Sequence, residues 1–203
     1  VPDALFRNDG EHFTDVGATA GVASLFGKGL GVVAGDFDLD GDQDIYVAND
    51  GVRNFYYRND EQRFKDIALQ NGAAYNGEGG PEAGMGVDAG DYDGDGDLDL
   101  FVTNFSRETN TLYRNDRAAG FKDVSPGTDA ANASFNQLGF GTFFFDADND
   151  ADLDLYIANG HVLDRIQILE ADLRYAQNDQ LLQNDGQGHY SDISATSGPA
   201  FAQ

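Results

Sequence analysis

Three stretches of alternating aspartate constrain this chain more than anything else in its 203 residues. Each reads Asp-x-Asp-x-Asp-x-Asp-x-Asp. The first holds Asp36, Asp38, Asp40, Asp42 and Asp44, the second Asp91, Asp93, Asp95, Asp97 and Asp99, the third Asp146, Asp148, Asp150, Asp152 and Asp154. They start 55 residues apart, twice over. Five carboxylates in nine residues repel one another strongly wherever water is excluded. Such a loop is stable when it curls around a cation. Positions one, three, five and nine then supply carboxylate oxygens, and position seven its backbone carbonyl. The expected ligands are therefore Asp36, Asp38, Asp40, Asp44 and the carbonyl of Asp42, with the same set 55 and 110 residues on. Oxygen-only donors, with no Cys in the chain and no His in the loops, select calcium over zinc or copper. One Ca2+ per loop, about three in all, is the cofactor expectation.

The flanks of the loops repeat with them. Ahead of each lies Gly-x-Gly and an apolar run, beginning at Gly29, Gly84 and Gly139. Behind each lies a short β-branched and aromatic run ending in Asn49, Asn104 or Asn159. Runs of this length and composition are strands. The acidic loop thus joins two strands as a hairpin turn. A helix–loop–helix calcium site would need a Glu at loop position twelve, where this chain has Val47, Val102 and Ile157. The repeated Gly-x-Gly is strand punctuation and not a phosphate cradle, because no helix follows it.

A second motif occurs four times: Arg7-Asn8-Asp9, Arg58-Asn59-Asp60, Arg114-Asn115-Asp116 and Gln183-Asn184-Asp185. Each is followed by an aromatic two residues before an Asp, at Phe13, Phe64, Phe121 and Tyr190. Asn-Asp turns between strand-like runs make a second hairpin. Two joined hairpins give a four-stranded antiparallel unit, and its repetition is the mark of a β-propeller blade. The expected fold is all-β, with about three and a half blades in one domain. Blades cover 28–68, 84–125 and 139–194, residues 1–16 end a preceding blade, and 197–203 begin a following one. Residues 69–83, rich in Gly, are expected to be a solvated connector. In the third blade an insert over 161–177 carries Leu163, Ile166, Leu169 and Leu173 at helical spacing, which predicts one short amphipathic helix on a propeller face.

These residues resemble the FG-GAP, or VCBS, repeat, the calcium-binding blade of integrin α-subunit propellers. They resemble more closely the secreted bacterial relatives of cartilage acidic protein that combine such repeats with an ASPIC/UnbV-type module. The stretches that carry the likeness start at Gly29 and Gly84, run through Val102 to Ser106 and Asn110 to Asn115, and end at Ala158 to His161. The resemblance implies a seven-bladed propeller or a large part of one, calcium in the blade loops, and a role in adhesion or extracellular architecture. Loop three departs from the pattern with Ala151 where the others have Gly41 and Gly96, which marks the third site as the weakest.

Composition excludes several classes. The net charge is −24, from 36 acidic and 12 basic residues, so three divalent ions would leave −18. Nucleic acid and anionic membranes need a basic face and are excluded as partners. No apolar run approaches the length of a membrane-spanning helix; the densest patch is Phe143 to Phe145. Thiol catalysis and disulfides are excluded by the absence of Cys. The acidic pairs recur in every blade, unlike a single active site, so no enzyme activity is expected. His12, His161 and His189 are read as surface or capping residues. Extracellular calcium modules bind with Kd of about 10⁻⁴ to 10⁻³ M, which places the chain outside the cell or on its surface.

The chain begins at Val1 without an initiator Met and reads as a mature or excised segment. Three and a half blades cannot close a ring. Its expected protein neighbours are the rest of a larger propeller or further copies of itself, head to tail. The function expected is a calcium-binding extracellular structural or adhesive module. The alternative is a carbohydrate-binding propeller or the accessory domain of a polysaccharide-degrading enzyme. Against the glycan reading, the chain lacks Trp, the usual sugar-stacking residue.

Overall fold

A computed structural model describes residues 2–198 and residue 201 of the chain. The short β-branched and aromatic runs form strands, and the strands form antiparallel meanders. A hairpin of β1 (Phe6–Asn8) and β2 (Phe13–Asp15) comes first. The first four-stranded sheet is β3 (Gly29–Gly35), β4 (Asp44–Asn49), β5 (Phe55–Asp60) and β6 (Arg63–Asp66), in that order. The second is β7 (Gly84–Gly90), β8 (Asp99–Asn104), β9 (Thr111–Asn115) and β10 (Phe121–Asp123). The third is β11 (Gly139–Phe145), β12 (Asp154–Asn159), β13 (Gln180–Asn184) and β14 (Tyr190–Asp192). Two one-turn helices, α1 (Gly17–Ala20) and α2 (Asp129–Asn132), sit between sheets. Four antiparallel sheets with few helices make an all-β chain of propeller-like blades. Among the described residues, no helix is long and apolar enough to cross a membrane.

The blades stack face to face because side chains alternate along each strand. On β4, Tyr46 and Ala48 face the second blade while Ile45 and Val47 pack with Leu5, Val22 and Leu25, which flank the N-terminal hairpin. On β8, Leu100 and Val102 pack toward the first blade and Phe101 toward the third. The layer between blades one and two is aromatic: Phe37, Tyr46, Tyr56, Tyr113 and Phe121 are all buried. The layer between blades two and three holds Tyr92, Phe101, Leu155, Ile157, Leu182 and Tyr190. Burying each such side chain contributes about 1.5 to 3 kcal/mol. The hydroxyl of Tyr46 donates to the carbonyl of Ala73 (3.0 Å), so this buried polar group is satisfied.

Gly-x-Gly sits where neighbouring inner strands nearly touch. A Cβ at Gly86 would collide with the carbonyl oxygen of Phe140 on β11, and Gly31 lies against the Met85–Gly86 backbone. The registers of β3–β4, β7–β8 and β11–β12 all shift at this motif. The glycines therefore set how closely blades pack.

Two expectations need correction. The segment 69–83 is not a solvated connector: Ala73 and Ala74 are buried in the first core layer, and Asn54 N donates to Ala74 O. The insert over 161–177 is not one amphipathic helix. Only α3 (Ile166–Leu169) is helical, and its C-cap Glu170 is extended. Ile166 and Leu173 are buried, whereas Leu163 and Leu169 are exposed. One turn is too short to be stable alone, and Arg107 holds the segment from outside by donating to Glu170 (3.0 Å) and Asp172 (2.6 Å). Of the two roles read for His161, surface or capping, the structure shows capping: the ring is buried and its Nδ1 accepts from Leu163 N (3.0 Å) at the start of the insert. The stretch 197–203, read as the approach to a following blade, lies mostly outside the described residues.

Candidate metal centres

Each acidic loop closes the hairpin between the first two strands of its blade. The residue before the loop pairs with position nine: Gly35 with Asp44, Gly90 with Asp99, and Phe145 with Asp154. Position one then folds the loop over itself. Asp36 accepts from the backbone N–H of Asp40 (3.1 Å) and Gly41 (3.0 Å). Asp91 does the same with Asp95 and Gly96, and Asp146 with Asp150 and Ala151. Position five accepts from the N–H of position seven in all three loops. The turn requires left-handed backbone at positions four and six. Gly41, Gly96 and Ala151 have φ of 96°, 90° and 77°.

An alanine held there is strained by about 1 kcal/mol or more relative to glycine. Ala151→Gly should therefore raise stability by about 1 kcal/mol, the relief of strain being partly offset by the greater freedom of the unfolded chain. A urea titration of the two proteins checks this. An unchanged or lowered midpoint would mean that strain at Ala151 is no larger than the freedom glycine adds to the unfolded chain.

The carboxylates converge in threes. In loop one Asp36, Asp38 and Asp40 each bring an oxygen to within 4.8 Å of the others. In loop two the group is Asp91, Asp93 and Asp99, and in loop three Asp146, Asp148 and Asp154. Asp44 stands outside the first group, and Asp95 and Asp150 stand outside the other two. Buried Asp44 accepts from Asn59 N (2.8 Å), Phe37 N (3.3 Å) and the Tyr56 hydroxyl (2.8 Å). Leu112 and Leu181 replace Tyr56 in the other blades, so position nine there keeps only its two backbone donors.

Position-seven side chains reach toward the second hairpin of the blade. Asp42 accepts from Glu61 N (3.1 Å), and Asp97 pairs with the Arg117 guanidinium (2.5 Å). Their carboxylates are thereby engaged elsewhere, and the backbone carbonyl remains as the donor from that position.

Electrostatics fits a cation best in loop two. Burial, with Asp95 as the next cause, pushes the Asp93 carboxyl above its ordinary value. Burial likewise raises Asp38 and Asp44, and it pushes Asp99 up to about 7. Asp93 Oδ1 is buried without a hydrogen-bond partner among the described residues. A buried carboxylate oxygen with no donor is costly, and a hard cation among Asp91, Asp93 and Asp99 would satisfy it. Loop three fits less well. Gln183 stands where the other blades have Arg58 and Arg114, and its amide donates to Asp148 (2.6 Å), competing for one of the three converging carboxylates.

Tyr56, Arg117 and Gln183 have no role legible in the sequence, because each meets its loop carboxylate, 12, 20 and 35 residues away, only once the strands are paired. Asn59, Asn115 and Asn184 were visible as a repeated residue but without a role. Each donates its backbone N–H to position nine of its own loop, at 2.8, 2.8 and 2.9 Å.

Meander blades with a carboxylate-lined turn at the same corner define a propeller-type repeat protein. The chain belongs to the FG-GAP-like repeat family, whose model matches residues 36–102 and 91–157. Each match begins at position one of an acidic loop. Cartilage acidic protein 1 of Xenopus tropicalis is 31% identical over 171 residues, covering 78% of this chain and 25% of the relative. The human protein of that name is 32% identical over 171 residues, with 78% and 24% covered. The chain spans about a quarter of the length of these relatives.

Proposed function

We propose that this chain is a calcium-binding, extracellular, non-enzymatic module with a structural or adhesive role. The observation that carries the reading is the unpaired buried Oδ1 of Asp93 within one of three converging carboxylate trios, one in each blade loop. Calcium would be held by the three trios, with the carbonyls of Asp42, Asp97 and Asp152. It would neutralise carboxylates whose mutual repulsion otherwise opposes the closed loops. The acidic composition and the relatives' name, cartilage acidic protein, support an extracellular setting, where millimolar calcium fills weak sites.

Calorimetric titration tests the metal. Close to three calcium equivalents should bind, with magnesium giving little heat because a flexible cage of carboxylates suits the larger ion. No heat with calcium would end this reading.

Contacts would be made through surface left open beside the blades. Phe6, Phe13, Leu30 and Val32 are large apolar side chains more than half exposed around the first blade. Exposed apolar side chains of this size suit association with a further blade or a second copy. Sedimentation velocity at rising concentration in calcium should show concentration-dependent association. A monomer throughout would remove the self-association part.

A further inference from the structure

The second-hairpin asparagines reach beyond their own blades. Asn115 Nδ2 donates to the carbonyl of Phe37 (2.8 Å), 78 residues away in the acidic loop of the first blade. Its backbone N–H donates to Asp99 Oδ1 (2.8 Å), position nine of the second loop. Asn184 repeats this one blade later. Its Nδ2 donates to Tyr92 O in loop two (2.8 Å), and its N–H donates to Asp154 Oδ1 in loop three (2.9 Å). Both asparagines are buried, at 2% and 3% exposure, so no water competes for these bonds. All three motif asparagines also bond within their own blades, Asn59 to Gln43 O (3.0 Å), Asn115 to Leu98 O (3.2 Å) and Asn184 to Leu153 O (3.1 Å); the second, cross-blade bond is made by Asn115 and Asn184.

The accepting carbonyl is at position two of each loop, between two converging carboxylates. Phe37 lies between Asp36 and Asp38, and Tyr92 between Asp91 and Asp93. Pinning that peptide plane orients the position-three side chain. The same residue's N–H also closes on Phe37's or Tyr92's own position nine: Phe37 N donates to Asp44 (3.3 Å) and Tyr92 N to Asp99 (3.1 Å). One line of buried hydrogen bonds therefore runs from loop one through Asn115 to loop two, and through Asn184 to loop three.

We infer that Asn115 and Asn184 are positioning residues that couple the three metal loops, so that filling one site raises the affinity of its neighbour. The inference rests on the calcium reading above. A metal at site two fixes Asp99, Asp99 holds the Asn115 backbone, and the Asn115 amide holds loop one in its binding shape. The ordering needed at the second site is then already done. Coupling through such a network is commonly about 5-fold or more in affinity.

A double-mutant cycle in calorimetry tests this on the full chain. Asp93→Ala empties site two, and Asn115→Asp keeps the turn acceptor but removes both amide donors. In the parent background, Asp93→Ala should weaken the remaining calcium sites by about 5-fold. In the Asn115→Asp background, the same change should leave site one unaltered. Hydrogen exchange at Asp40 and Gly41 gives a second readout that needs no doubly substituted protein. Asp93→Ala alone should speed exchange in loop one in saturating calcium. Equal effects of Asp93→Ala in both backgrounds, or unchanged exchange in loop one, would overturn the coupling while leaving calcium binding intact. Absence of calcium binding by the parent chain would instead remove the metal reading, and the coupling with it.

Discussion

Stripping calcium with a chelator should lower the melting temperature by on the order of 10 to 30 °C. The size follows from mass action. A ligand that binds only the folded state at ten to a hundred times its Kd stabilises by about 1 to 3 kcal/mol per site. Three such sites add about 4 to 8 kcal/mol, a large part of the stability of an ordinary domain. For a chain of about 200 residues, each kcal/mol moves the melting point by about 2 to 4 °C. The loops make the dependence physical: fifteen of the 36 acidic residues sit in them, and three trios of carboxylate oxygens lie within 4.8 Å. Without a cation those trios push against the hairpins that begin β4, β8 and β12. Site three should contribute least, since Ala151 is strained and Gln183 already engages Asp148. A differential scanning calorimetry pair, in excess calcium and in chelator, makes the measurement, with magnesium as the control. Coincident melts would mean that the loops are solvated acidic turns, and the extracellular assignment built on weak calcium sites would fall too.

What could be read in the sequence is what repeats locally. The 55-residue step aligns Gly84 with Gly29 and Asp91 with Asp36, so loop and flanking strands are visible without any three-dimensional information, and the second hairpin is visible by its own repeated motif. The side to which each strand residue points is not visible there, since runs such as Ile45 to Ala48 are apolar throughout; packing alone sets Tyr46 and Ala48 against one neighbour and Val47 against the other. What could not be read is set by contacts between distant segments. Nothing local says that Tyr56 will reach Asp44, or that the amide of Asn115 will find Phe37 in the preceding blade. The insert misleads for a related reason. Ile166 and Leu173 have helical spacing, but the backbone turns extended at Glu170, and Arg107, some 60 residues earlier, meets Glu170 and Asp172 on that non-helical path. The Gly-rich stretch 69–83 looked solvated because its composition is that of a loop. Its small alanines are what allow Ala73 and Ala74 to fill the space under Tyr46.

The metal-free protein should show the opposite pH dependence to the calcium-loaded one. Burial is the main cause that pushes the Asp99 carboxyl up to about 7, against the N–H groups of Asn115 and Tyr92, which favour its charged form. In the unfolded chain the same group titrates near the ordinary carboxylate value of about 4. Between those two values the folded, metal-free chain holds a proton that the unfolded chain has released. This stabilisation is therefore fully present below about pH 4 and is lost as pH rises through about 7. A shift of about three units corresponds to about 4 kcal/mol at most. Asp38, Asp44 and Asp93 are raised by burial as well and act with the same sign. His161 acts against them. Burial lowers its pKa, so its contribution is present above its ordinary value and is lost as pH falls through the lowered one. In chelator, urea midpoints should thus fall from pH 5 to pH 8. In saturating calcium they should rise over the same interval, because protons compete with the ion for the same oxygens. Asp99→Asn separates the aspartate from the histidine: the neutral amide keeps an acceptor for Asn115 N and cannot titrate, so the metal-free slope should flatten. Slopes of equal sign with and without calcium would show that burial of Asp99 does not govern the metal-free state.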